Sequence, residues 1–170
     1  MNNIKKKFYI NGLIVAFLFI SLANITYANK APDFNLPSDE SIIKLSSYSY
    51  KGKLVYLDFW ASWCVPCRQS FPFMNEMKNK YEEQGLKIIA VNLDVDSKKA
   101  AYFLKLIPAE FSIAYDPQGN VSKAYKVSVV PSFFLINRDG DIVYAHKGFR
   151  ASENEKLEAK IEQLLSEKNQ

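Results

Sequence analysis

The chain has 170 residues, 48% of them hydrophobic, and carries 22 Lys and Arg against 18 Asp and Glu, a formal net charge of +4. Lys5, Lys6 and Lys7 lie in the first 28 residues, which hold no acid, so the remaining 142 residues set 19 cations against 18 anions. A near-neutral stretch with interspersed charges argues against a nucleic-acid partner, and its length suffices for one domain with its own core.

The first element is an export segment. Three lysines precede an unbroken apolar core, Leu13 to Ile20, and Thr26-Tyr27-Ala28 places small residues at the two positions a signal peptidase inspects, so cleavage is expected after Ala28. An uncleaved anchor is the alternative, because residues 8–28 nearly span a bilayer if Asn11, Ser21 and Asn24 are tolerated. Both readings put residues 29–170 in an oxidising compartment as a single domain, without repeat, low-complexity tract or linker.

Ala31 to Tyr50 reads as a polar lead-in with a short strand near Ile42 to Leu45. Lys53 to Trp60 is almost continuously apolar, as a central strand buried on both faces must be. A helix is predicted from near Cys64 to about Gln84, with Met74, Met77 and Tyr81 on one face, Pro72 as an internal kink and Gly85 as its stop.

Cys64 and Cys67, the only cysteines in the chain, sit at that strand-to-helix junction. Side chains three apart on one helical turn lie close enough for a reversible disulfide. Unpaired amides and the positive end of a helix dipole favour a thiolate, so Cys64, nearest the helix start, is the expected nucleophile. Cys67, one turn in and shielded, is the expected resolving thiol, and Pro66 fits where the first turn has no N–H to lose. A purely structural disulfide, half a zinc site and a copper site using both thiols with His146 remain alternatives.

Further along, Lys87 to Val95 repeats the buried-strand pattern, and Ser97 to about Ile107 is helical with Ala100, Leu104 and Ile107 inward. Phe111 to Tyr115 is a short strand and Gly119 to Tyr125 a short helix. Ser132 to Ile136, the Asp139-Gly140 turn and Ile142 to His146 form a hairpin. The last helix, Ser152 to Glu167, begins with a capping box of Ser152 and Glu155 and buries Leu157, Ile161, Leu164 and Leu165. Parallel strands joined by helices, then an antiparallel hairpin and helix, predict an α/β fold with a mixed central sheet flanked by helices.

Phe59-Trp60-Ala61-Ser62-Trp63-Cys64-Val65-Pro66-Cys67-Arg68 with Phe71-Pro72, together with Ala31-Pro32-Asp33-Phe34 upstream and Val130-Pro131-Ser132-Phe133 downstream, resembles exported thioredoxin-like proteins of the TlpA/ResA type over roughly residues 31–165. The resemblance implies a thioredoxin fold with an added N-terminal strand and an insert before the hairpin. It implies a cis Val130-Pro131 bond beside the cysteines, with the Val130 backbone free to pair with a substrate chain, and gives Gly148 the role of a glycine that lets that chain approach. Trp63, Pro66, Val130 and Pro131 are then the substrate-binding surface, whereas Trp60 reads mainly as core and His146 as solvent-facing or capped.

Such proteins commonly carry a glutamate three residues after the second cysteine, where this chain has Ser70. Asp58, in the apolar strand, matches the buried aspartate of thioredoxin itself, and burial raises its pKa towards the operating pH, so it is the expected base for Cys67. The implied activity is reduction of protein disulfides, for example in cytochrome c or copper-site maturation, fed by a membrane thiol-transfer reductant and calling for no cofactor and no metal. A disulfide oxidase or isomerase, and a metal-delivery protein using both thiols, are the alternatives.

Overall fold

A computed structural model describes residues 29–39, 41–49 and 52–167. The expected export segment and anchor, residues 1–28, lie outside the described residues. Among the described residues no helix is long and apolar enough to cross a membrane.

The architecture follows from one strand. β4 (Leu54–Trp60) is apolar at every position but Asp58, and all seven of its residues are buried, because both faces of the sheet at this point are covered. It lies parallel to β5 (Leu86–Asn92), which in turn lies parallel to β6 (Ser112–Tyr115). On its other side β4 runs antiparallel to β7 (Ser132–Ile136), which forms the expected hairpin with β8 (Asp141–Lys147). With β1 (Asn29–Lys30) on the edge, the six-stranded mixed sheet has the order β1-β8-β7-β4-β5-β6.

Alternation along β4 divides the core into two layers. Leu54, Tyr56 and Trp60 join a cluster with α2 (Cys67–Tyr81), through Phe71, Met74 and Met77, and with α5 (Asn154–Ser166), through Leu157, Ile161 and Leu164. Ala100 and Phe103 of α3 (Ser97–Leu106) complete that layer. Val55, Leu57 and Phe59 face the other way, onto Phe34, Leu36, Ile43, Leu45 and Tyr125. Those residues come from the small hairpin of β2 (Asn35–Pro37) and β3 (Ile42–Lys44), from α1 (Leu45–Ser49), and from the end of α4 (Asn120–Ala124).

Several sequence expectations are corrected. The helix after the cysteines begins at Cys67, three residues later than expected, and continues through Pro72 to Tyr81. The Ser152/Glu155 capping box does not form. Ser152 is taken into a 3-10 turn, Ala151–Glu153, and α5 starts at Asn154 without a side-chain cap. Glu153 faces Arg150 and His146 instead. In α3 Ala100 is fully buried as expected, but the side chain that joins it in the core is Phe103, and Leu104 and Ile107 are only half-buried.

Candidate active site

Beyond Trp60 the chain leaves the sheet in a tight turn, with the Cys64 N–H donating to the Ala61 carbonyl at 3.1 Å. Pro66, in helical geometry (φ −63°, ψ −25°), occupies the position just before α2, where its missing N–H costs nothing. Cys67 is the first helical residue, and the two sulfurs are bonded at 2.02 Å across a Cα separation of 5.3 Å. Its N–H points back and donates to Cys64 Sγ at 3.2 Å. That contact places a helix-start amide on the sulfur expected to be the nucleophile. Cys64 keeps a trace of exposure, 3%, and Cys67 has none.

A polar tether that sequence reasoning missed holds this turn. The Ser62 N–H and Oγ donate to the two carboxylate oxygens of Asp94, at 2.8 and 2.9 Å, and Asn92 Nδ2 donates to the same group at 2.8 Å. The parallel pairing of Trp60 with Asn92 brings these residues beside the redox turn. The available signal was polarity: Asn92 and Asp94 interrupt an otherwise apolar strand pattern at its carboxyl end, where parallel sheets gather functional groups.

Around the pair the aromatic residues divide their roles. Trp60 is fully buried and packs edge-on to Phe71 at 4.9 Å, while Trp63 (69% exposed) and Val65 (68%) stand out beside the disulfide. The Val130-Pro131 bond is cis, Pro131 is buried, and its carbonyl accepts the Gly148 N–H at 2.7 Å, Gly148 taking a positive φ of 82°. Val130 packs against the cluster that contains both cysteines. His146 stacks on Phe133 and lies 3.2 Å from Glu153, on the hairpin.

Asp58 lies on the Cys64/Cys67 side of β4 by alternation, between Tyr56 and Trp60, and pairs across the sheet with Ala90 and Phe133 of the same cluster. It is fully buried and neither carboxylate oxygen has a hydrogen-bond partner, and Tyr56 Oη and Trp60 Nε1 are unpartnered too. Burial pushes its carboxyl well above the ordinary range, the nearby Phe59 amide opposing that shift only in part. Ser70, by contrast, is spent on the helix, its hydroxyl donating to the Cys67 carbonyl at 3.2 Å.

A disulfide that spans one turn, held at one sulfur by a helix-start amide and edged by an exposed tryptophan, has little loop to brace and much to gain from opening. With its sheet order, it defines a thiol-disulfide oxidoreductase of thioredoxin-like fold. The Redoxin family model matches residues 26–164, and the chain belongs to that family. It is 37% identical over 124 residues to thiol-disulfide oxidoreductase ResA of Bacillus thuringiensis subsp. konkukian, covering 73% of this chain and 71% of the relative. ResA of Oceanobacillus iheyensis is 31% identical over 169 residues, covering 92% and 86%. Among solved structures, a Chlorobium tepidum chain described as a thiol:disulfide interchange protein DsbE superposes with a TM-score of 0.79 at 48% identity, covering 82% of this chain and 97% of that one.

Proposed function

We propose that the protein reduces disulfides of client proteins outside the cytoplasm, with residues 1–28 acting as a signal peptide or a membrane tether. The Cys64 thiolate attacks one sulfur of a client disulfide, forming a mixed disulfide and releasing one client thiolate. Cys67 then gives its proton to the Asp58 carboxylate and attacks Cys64 Sγ, releasing the second client thiolate and closing the Cys64–Cys67 bond. A membrane thiol-transfer protein returns two electrons to the pair. Apocytochromes awaiting haem and copper-site assembly proteins are the clients this reading favours.

The observation that carries the assignment of roles is the Cys67 N–H donating to Cys64 Sγ, which favours charge on that sulfur. Support for the direction comes from Val65 and Pro66, which put no cation between the cysteines to stabilise the reduced form strongly, as a strong oxidant requires. Trp63, Pro66, Val130 and Pro131 would receive the client chain. The Cys67→Ser variant should accumulate mixed disulfides on Cys64 that mass spectrometry identifies, and the pair should have a reduction potential at or below about −220 mV. Trapping by Cys64→Ser instead would reverse the roles, and a potential near about −120 mV would make the protein an oxidant.

A further inference from the structure

Next to the redox turn, α3 and the start of α2 frame a cleft of about 280 Å³ whose lining includes Ser62, Arg68, Lys98, Lys99, Tyr102 and Leu106. Ser62 stands two residues before Cys64 and Arg68 directly follows Cys67, so the cleft begins where the disulfide does. Exchange at the sulfurs uses none of these side chains.

Two properties set the cleft apart. The first is charge without partners. Arg68, Lys98 and Lys99 make no side-chain hydrogen bond or salt bridge among the described residues, whereas Lys78 is paired with Glu82, Lys80 with Glu158 and Arg150 with Glu153. The two acids that precede α3 are engaged elsewhere: Asp94 accepts from Ser62 and Asn92, and Asp96 caps α3 by accepting the Lys98 N–H. The second is apolar surface without cover. Lys98, Tyr102 and Leu106 recur every four residues and so form one stripe along α3, and Tyr102 is 66% and Leu106 56% exposed while the helix buries Ala100 and Phe103 elsewhere. A small anion would satisfy the cations and leave Tyr102 and Leu106 with nothing to do.

We propose that this cleft docks an acidic segment of the protein whose disulfide Cys64 attacks, with Asp or Glu side chains over Arg68, Lys98 and Lys99 and an apolar side chain against Tyr102 and Leu106. The proposal rests on the exchange reaction at Cys64 described above and adds the class of client sequence that reacts fastest. In a domain of near-zero net charge such a patch acts locally, raising the encounter rate of a matching segment within about one Debye length of the cysteines.

Two disulfide-linked peptides of equal length test it, one with Asp and Glu flanking the cysteines and one with Asn and Gln in their place. The second-order rate constant with the reduced full-length protein is read for each. The acidic peptide should react about tenfold faster at low salt, and the ratio should approach one at 1 M salt, where the screening length falls to about 3 Å. The Lys98→Glu/Lys99→Glu variant should abolish or invert the ratio, while Lys44→Glu/Lys123→Glu, an equal charge change on elements covering the other face of the sheet, should keep it. An unchanged ratio in Lys98→Glu/Lys99→Glu, or no preference in the wild type, overturns the docking proposal. A wild type that reacts with neither peptide overturns the exchange reading beneath it.

Discussion

Asp58 is a carboxyl placed where a carboxylate is costly, with no hydrogen bond to either oxygen. Because its folded pKa is raised, the folded chain holds a proton that the unfolded chain gives up above pH about 4. In that window the unfolded state binds fewer protons, so stability falls as pH rises until the folded group ionises as well. Each pH unit of that window costs about 1.4 kcal/mol. Asp58→Asn removes the penalty and keeps the shape. Its stability should therefore match the wild type near pH 4, exceed it increasingly as pH rises, and level off where Asp58 ionises in the folded state, as followed by denaturant unfolding across pH. The same substitution should slow resolution of the mixed disulfide near pH 7 and leave Cys64 alkylation nearly unchanged, whereas Ser70→Ala should do little. A pH-independent difference in stability would count against a raised Asp58 pKa, and an unaffected resolution rate would count against Asp58 as the base for Cys67.

At the scale of elements, the turn between β4 and α2 is held less by its own sequence than by Asp94 at the end of the neighbouring strand. Asp94→Ala leaves the Ser62 amide and hydroxyl without their acceptor, and losing hydrogen bonds to a charged group costs about 1.5 to 3 kcal/mol. Urea unfolding should show a loss of that order. Cys64 should also become more readily alkylated in the reduced variant, and equal stability would mean that Ser62 finds water instead. Sequence carried the long elements well, for a physical reason. β4, β5 and the hairpin are recognised by continuous burial or by alternation and a Gly turn, signals local to each strand. β1, β2 and α1 are two to five residues long, too short to carry a periodic pattern, and take their form from partners outside themselves, Asn29 from Ile142, Asn35 from Lys44 and Leu45 from the Phe34 carbonyl. The redox pair was legible because two cysteines at one spacing have few uses. Asp94 was not, since its partner Ser62 lies 32 residues away.

For the whole molecule, the sheet needs two apolar layers, and the residues before β4 supply much of the second. Phe34, Leu36, Ile43 and Leu45 cover Val55, Leu57 and Phe59 on the face opposite the cysteines. The Pro32 carbonyl accepts the Tyr125 hydroxyl at 2.8 Å, and Asp33 accepts the Ser46 amide at 3.0 Å, fixing this segment at both ends. Phe34 sits edge-on to Tyr125 with ring centroids 6.5 Å apart, and Tyr125 in turn packs on Phe59 and Phe134. Truncating Phe34 to alanine opens a cavity that a hairpin of two three-residue strands has little slack to close, so Phe34→Ala should cost about 3 to 5 kcal/mol. Because the loss falls on the far layer, the reduced variant under folding conditions should still exchange with a small neutral disulfide at close to the wild-type rate. Guanidinium unfolding and stopped-flow exchange measure the two quantities separately. A drop in exchange rate matching the loss of stability would mean that the two layers are coupled through β4, and that the N-terminal segment positions the cysteines as well as covering the sheet.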